Sequence, residues 1–210
     1  MQQSHDRIKL DLRRRILLHV SDEDMMLYEG KLADEFGVSR TPIRQVIQSL
    51  ASEQLVEVRS GIGTIAPHLL IERRMNDLKA YSAILGACAS CAQPAHFGMA
   101  KVEQAALRMH LEAGSDRPPD DLFFDVATKF VTALNKLVDD SILRSTLIAC
   151  FWRFVRRRIA DHNSDLSGVI QELIQTIKDI EEGAETGDAE HTLRMASTNV
   201  DGILRSLSPA

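Results

Sequence analysis

Apolar positions recur with a helical period in the first third of the chain. Residues 6–19 place their apolar side chains three or four residues apart, which predicts an amphipathic helix. A short second helix is predicted at about 27–36, because Gly37 is suited to end it as a left-handed C-cap. A third helix is predicted from Ser39, a good N-cap, to about Gln54, with Pro42 in its first turn.

The period then changes from that of a helix to that of a strand. Residues 55–59 alternate, 60–63 supply a turn and 64–66 can pair back, which predicts a small β-hairpin. From about Ile71 onward the pattern is helical, with six or seven helices and no strand signal. The helix breaks are expected at 93–94, 114–120, 139–141, 161–167 and 187–188.

These elements predict a mainly α fold with two domains. A helix, a tight glycine turn, a second helix and a two-stranded wing make a winged helix-turn-helix, placed at residues 1–67. A linker is expected at 68–76, followed by an all-α helical bundle at 77–210. A length of 210 residues with 44% hydrophobic content is enough for a core in each domain.

Composition narrows the class of protein further. The chain has no apolar run near the 18 residues of a membrane span, and its first residues lack the apolar segment of a secretory signal. Its three cysteines cannot all pair, which favours a reduced, cytoplasmic compartment. The helical half contains no nucleophile elbow, P-loop or Rossmann glycine pattern, so an enzyme is not expected.

The net charge of −5 gives no general reason to expect nucleic acid, but its distribution does. The stretch 36–52 carries two arginines and no acidic residue, so this helix can approach DNA. Arg40 and Arg44 lie four residues apart on one face, and each offers a fork for guanine or phosphate. Ser39, Thr41 and the helix N-terminus suit phosphate.

The segment Gly-Val-Ser-Arg-Thr-Pro-Ile-Arg at 37–44, the run Leu-Tyr-Glu-Gly-Lys-Leu-Ala at 27–33 and Gly-Ile-Gly-Thr-Ile at 61–65 resemble the DNA-binding domain of the GntR family of bacterial transcription regulators. The resemblance covers about residues 8–66. It implies contact with double-stranded DNA, and together with the residue chemistry it gives a predicted DNA-binding set. The set is Ser39, Arg40, Thr41, Pro42, Arg44, Lys31, Gly61 and Gly63.

The chain departs from the family pattern at three positions. Gly30 stands where the family often has a basic residue, a role that Lys31 is suited to take over. Ile62 replaces the basic residue between the wing glycines, so wing contact with DNA is expected to be weaker. Asp24 replaces a glycine ahead of the second helix.

The helical half more weakly resembles the effector domain of the FadR-type subfamily. Many members hold a divalent metal through an Asp-x-x-x-His pair and two later histidines. One alignment places Ala127, Val131, Ile177 and Asn199 at those positions; another places Asp121 and Asp125 at the first pair but keeps the last two. Either alignment predicts no metal of this type and no cofactor.

Two other groups in the helical half have alternative interpretations. Arg153 and Arg157 lie one turn apart; they either face a bundle cavity and hold a carboxylate or phosphate effector, or form a solvated or dimer-facing edge. Cys88 and Cys91 have zinc-like spacing without a second pair, so cysteines packed in the core are expected. The histidines are scattered and predict surface or capping roles; they include His96, His110, His162 and His191.

Together these features predict a DNA-binding transcription regulator. It is expected to be a homodimeric repressor that reads a pseudo-palindromic operator and responds to a small organic acid. The alternative is the same DNA-binding head on a helical dimerisation scaffold without an effector, regulated by a protein partner or by expression level.

Overall fold

The computed structural model of the chain describes residues 2–93, 101, 103–108, 119–186 and 188–207. The N-terminal part combines three helices with a small antiparallel sheet whose strand order is β1-β3-β2. The elements are α1 (Gln2–Leu18), β1 (Met25–Leu27), α2 (Glu29–Phe36), α3 (Arg40–Ser52), β2 (Glu57–Arg59) and β3 (Gly63–Ala66). The predicted winged helix-turn-helix is therefore confirmed.

The wing sheet has one more strand than the sequence pattern predicted. The hairpin of β2 and β3 forms as expected, with Val58 opposite Thr64, but β1 pairs with the other edge of β3, with Met26 opposite Ile65. The prediction that the second helix begins at about residue 27 was therefore wrong, since Leu27 ends β1 and buries its side chain in the core. A segment of three residues is too short to show the alternation of a strand. It is a strand because it pairs with the free edge of β3.

Helix α1 connects the two halves of the molecule. Leu12 and Ile16 on its apolar face are fully buried. The helix packs against α3 in the N-terminal part and against the helix Ser141–Asp161 in the second half. The described part of the chain contains no helix long and apolar enough to cross a membrane.

The second half is a helical bundle, also as predicted. Its helices are α4 (Arg74–Ser90), α5 (Pro119–Lys136), α6 (Ser141–Asp161), α7 (Leu166–Thr186) and α8 (Ala189–Leu207), and residues 103–108 are helical as well. Helix α4 packs on α6 and α8, and α5 packs on α6 and α7. Because a 3-10 turn at Ile71–Arg73 runs directly into α4, the bundle begins inside the predicted linker 68–76.

The helix breaks follow the sequence pattern where the structure describes them. Asp140 caps α6 by accepting hydrogen bonds from the backbone N–H groups of Ile142 and Leu143, at 2.9 and 2.8 Å. The break at 161–167 separates α6 from α7. Those predicted at 93–94, 114–120 and 187–188 lie partly outside the described residues, and residues 119–120 of the second one already belong to α5. His96 and His110 lie outside the described residues.

Aromatic side chains fill the centre of the bundle. The ring of Phe151 contacts those of Tyr81, Phe130 and Trp152, with centroids 4.9 to 6.0 Å apart. A cavity of only about 40 Å³ remains between these rings and the apolar faces of α7 and α8. That volume is far below the roughly 300 Å³ at which small-molecule pockets begin.

Candidate nucleic-acid interface

The turn before α3 has the geometry that the sequence predicted. Gly37 takes the left-handed conformation at φ 64°, and the N–H of Val38 donates to Ala33 O at 3.0 Å. Ser39 is the N-cap of α3 in extended conformation, and its hydroxyl caps no backbone N–H among the described residues. The first turn of α3 therefore presents N–H groups and a hydroxyl to the outside, which suits a phosphate.

Helix α3 divides cleanly into a buried face and an exposed face. The buried face consists of Ile43, Val46, Ile47 and Leu50. Arg40, Thr41 and Arg44 lie on the other face, and the side chain of Arg44 is 60% exposed. The structure thus brings the two predicted base-reading arginines to one accessible surface.

Glu29 at the start of α2 orients Arg44. The Nη2 and Nε groups of Arg44 donate to the two carboxylate oxygens of Glu29, at 2.9 and 3.2 Å. This pairing raises the pKa of Arg44 and lowers the pKa of Glu29. Sequence reasoning did not single out Glu29, because no local pattern links residues 15 positions apart in two different helices.

Gly30 and Arg40 also lie against each other. A Cβ atom at Gly30 would lie 3.4 Å from Nη2 of Arg40, so the guanidinium occupies the space beside the start of α2. Lys31 is exposed, and its Nζ lies 4.8 Å from the ring centroid of Tyr28. The helix-turn-helix face therefore carries three cations that are accessible from one side of α2 and α3.

The wing tip is apolar. Gly61 and Gly63 adopt positive φ angles of 75° and 117°, which L side chains rarely take, and so allow the turn. Between and beside them, Ile62 is 57% exposed and Val58 73% exposed. The tip of the wing is therefore exposed and apolar.

Asp24 fixes the wing to the start of the second half. Its carboxylate accepts hydrogen bonds from the backbone N–H and ring of His68, at 2.9 and 2.8 Å, and from Arg59 at 2.7 Å. These bonds from His68, with the charge of Arg59, lower the pKa of Asp24 to about 2. Asp24 thus links the start of β1 to β2 and to the connection that leads into the bundle.

The structure places the remaining candidate residues away from this face. Arg153 and Arg157 do not line the small bundle cavity; they line a cavity between the two domains and share Asp77. The four aligned metal positions hold buried Ala127, Val131 and Ile177, and Asn199, whose amide donates to a backbone carbonyl. The two carboxylates of the rival pair lie one turn apart on α5, where Asp121 pairs with Arg14 and Asp125 pairs with Lys129.

The cysteine expectation holds only in part. Cys88 and Cys150 are buried thiols, and burial raises the pKa of Cys88 to about 11. Cys91 is exposed and lies just after the end of α4 at Ser90. No group of three or more metal-ligating side chains comes together within the described ranges.

The chain combines a winged helix-turn-helix with a helical bundle. Residues 4–65 match the family described as bacterial regulatory proteins, gntR family. The winged helix-turn-helix domain is therefore similar to that family.

One curated relative matches part of the chain, and two solved structures share its fold. The gluconate operon transcriptional repressor of Bacillus licheniformis is 42% identical over 52 residues, which are 25% of this chain but only 21% of the repressor. The structure of E. coli McbR/YncC covers 97% of both chains with a TM-score of 0.60 at 14% identity. A GntR structure from Rhodococcus sp. RHA1 covers 100% of both with a TM-score of 0.50 at 14% identity. The family consists of regulators and not enzymes, in agreement with the sequence-based prediction.

Proposed function

We propose that the chain is a transcription repressor whose helix α3 reads operator DNA. The observation that supports this function most strongly is the exposed pair Arg40 and Arg44 on the first two turns of α3, next to an accessible helix N-terminus. In winged helix-turn-helix proteins this end of the second helix enters the major groove. The Glu29 carboxylate holds Arg44 on the exposed face before DNA arrives.

Each exposed group has a defined task in this arrangement. Arg44 presents a planar fork to the O6 and N7 atoms of guanine, and exchanges its pairing with Glu29 for that contact. Ser39, Thr41 and the N–H groups of the first turn bind phosphate and set the register of the helix. Lys31 adds a phosphate contact, whereas the apolar wing tip at Ile62 adds surface contact without charge.

We further propose that the repressor is a homodimer with a FadR-type helical domain. One short recognition helix reads few base pairs, so two copies on a pseudo-palindromic site are needed for useful specificity. The similar fold of the solved GntR structure from Rhodococcus supports a shared architecture for the helical half.

Selection from a pool of random DNA duplexes tests the function directly. The expected product is a motif with two inverted half-sites whose centres are about 34–36 Å apart, one turn of the double helix. The double variant Arg40→Ala, Arg44→Ala should enrich no motif. Arg144→Ala, which removes an exposed arginine on α6, should enrich the wild-type motif. Two results would refute the proposal. In the first, the wild-type protein enriches no motif; in the second, it enriches a single half-site and light scattering shows that it is a monomer.

The effector is a small organic acid in this proposal, and a cavity lined by arginines between the domains supports it. A second candidate function is that of a regulator in which the helical domain only dimerises the chain and binds no small molecule. The tight bundle core favours this second candidate, because its cavity of about 40 Å³ has no room for an organic ligand. The two candidates differ in whether the cavity between the domains binds an anion.

A further inference from the structure

A cavity of about 450 Å³ lies where the DNA-binding domain meets the bundle. One wall of it is formed by residues 54–56, which connect α3 to β2, by strand β2 and by the connection at 67–70. The start of α4 and the middle of α6 form the other. Its volume is in the range of small-molecule pockets.

Arginine dominates the chemistry of this cavity. Five arginines and His68 line it, against only the two carboxylates of Glu57 and Asp77. The arginines are Arg59, Arg73, Arg153, Arg156 and Arg157. Three of them belong to α6, where spacings of three and four residues bring them onto one face.

Arg156 is the unusual member of this group. It is only 4% exposed, yet its Nε and Nη2 groups have no hydrogen-bond partner among the described residues. A buried cation without a partner costs free energy in the folded protein, so such groups are rare unless something binds them. Burial and the neighbouring Arg157 lower the pKa of Arg156 to about 10 against the opposing effect of the Asp24 charge, and this leaves Arg156 charged at neutral pH.

The carboxylates near the cavity are already engaged by other arginines. Asp77 accepts from Arg157 at 2.6 and 2.7 Å and lies 3.4 Å from Arg153. Glu57 accepts from Arg59 at 2.7 Å, and Arg59 also binds Asp24. Within the described ranges no carboxylate pairs with Arg156 or with the exposed Arg73 at the cavity rim.

We infer that this cavity between the domains binds a small organic anion, whose carboxylate or phosphate group is held by Arg156 from within and by Arg73 at the rim. The planar fork of Arg156 suits the two oxygens of such a group. The apolar part of the ligand contacts Leu55, Val56 and Leu69. This assignment places the anion site outside the bundle interior, which is too tightly packed to hold a ligand.

The location gives the anion a regulatory role, and this part rests on the proposed DNA-binding function. Because both domains line the cavity, a bound anion favours the one orientation of the DNA-binding head in which both walls contact it. A ligand that binds one orientation better by tenfold shifts operator affinity by up to the same factor.

Anion binding can be measured without DNA, by thermal unfolding of the full chain. The probes are inorganic phosphate and citrate, each compared with sodium chloride at matched ionic strength. Both anions also stabilise proteins in general because they are excluded from the protein surface. This general effect is the same in the wild type and the variants, so the difference between them measures specific binding. The variant Arg156→Met removes the buried charge, and Arg144→Met is the matched control on the exposed end of α6.

We expect phosphate, citrate or both to raise the unfolding midpoint more in the wild type and in Arg144→Met than in Arg156→Met. Titration calorimetry of the more effective anion should show at least about tenfold weaker binding to Arg156→Met. Arg156→Met should also unfold at the same temperature as the anion-free wild type or above it, because it relieves an unpaired buried charge. A larger response to citrate identifies a carboxylate ligand, and a larger response to phosphate a phosphorylated one.

Equal responses of the wild type and Arg156→Met to both anions would overturn the inference. Arg73→Gln provides a second route, since this exposed residue can be changed without disturbing the core; it should weaken the binding of the anion severalfold. If Arg73→Gln and Arg144→Met bind the anion equally well, Arg73 is not part of the site. Failure of the random-duplex selection would refute the DNA-binding function but leave these anion results unchanged, so the two failures are distinguishable.

Discussion

The guanidinium of Arg13 lies 4.3 Å from the ring centroid of Trp152 and donates through Nη2 to Glu53 at 2.7 Å. All three side chains are buried. Arg13 belongs to α1, Glu53 is the C-cap of α3, and Trp152 is in the centre of α6. A single side chain therefore joins the end of α3 to the core of the bundle.

Removal of Arg13 should destabilise the whole chain. Arg13→Ala leaves Glu53 buried, and Lys9, at 2.8 Å, is then the only cation paired with it among the described residues. The free energy of unfolding should fall by about 3 kcal/mol, the lower end of the range for breaking a buried ion pair. Urea unfolding followed by Trp152 fluorescence measures this change.

Arg15→Ala is the matched control on the same helix. Arg15 pairs with Asp11 and Glu35 at the exposed surface, so its removal should change stability by less than about 1 kcal/mol. Similar effects of the two substitutions would show that the buried pairing of Arg13 contributes nothing special.

Gly30 should be replaceable by alanine with a gain in stability. It lies inside α2, and its new Cβ would make an ordinary contact with the flexible end of Arg40. Gly30→Ala should raise the free energy of unfolding by about 0.5–1 kcal/mol through helix propensity. Gly202→Ala in α8, where no atom lies within 4 Å of the new Cβ in the described part of the chain, should give a similar gain. A loss of stability in Gly30→Ala alone would show that Arg40 cannot adjust.

Acid should weaken the hydrogen bonds that the Asp24 carboxylate accepts from His68 and Arg59. Its pKa of about 2 in the folded protein lies below the value near 3.9 expected in the unfolded chain. The ionised carboxylate therefore stabilises the fold fully above about pH 4, and this contribution disappears as the pH falls towards 2. Asp24→Asn should lower the urea midpoint at neutral pH and flatten its decline in acid.

Asp34→Asn serves as the control for the acid experiment, because Asp34 is an exposed carboxylate on α2. Its urea midpoint should follow the wild-type curve across the same range of pH. Parallel curves for the wild type and Asp24→Asn would mean that His68 and Arg59 do not favour the ionised form.

Lys31 should contribute to DNA affinity without contributing to sequence preference. Lys31→Ala removes one exposed cation from the face formed by α2 and α3. It should weaken binding to selected and scrambled duplexes by the same factor and reduce the slope of log affinity against log salt by about one. Fluorescence anisotropy titrations at several salt concentrations measure both effects; a loss confined to the selected duplex would assign Lys31 to base reading.

Sequence patterns predicted the structure correctly where it depends on residues close together in the chain. The glycine turn at Gly37, the N-cap Ser39 and the apolar stripe of α3 each have a recognisable pattern, and together they placed the two arginines on one exposed face. Asp140 capped the predicted start of α6 for the same reason. These features depend on residues within four positions of one another.

Features that depend on distant pairing were not predictable from the pattern. Strand β1 exists because β3 offers it an edge, and Glu29 matters only because α3 folds against α2. The arginines of α6 were expected to form a solvated or dimer-facing edge or to face a bundle cavity. Arg153, Arg156 and Arg157 instead line the cavity between the two domains, and Arg158 is buried against Glu172 of α7. Contacts with distant elements leave no signal in the spacing of one helix.

The central claim is that Arg44 reads a base pair in the operator, and the affinity of Arg44→Ala for a systematically substituted duplex tests it most directly. The duplex selected by the wild type should bind the variant about 1–3 kcal/mol more weakly. One base pair in each half-site should behave differently from the others. Changing that base pair should weaken binding of the wild type but leave the affinity of Arg44→Ala unchanged. Unchanged affinity of Arg44→Ala, or an equal loss on every duplex, would contradict the account.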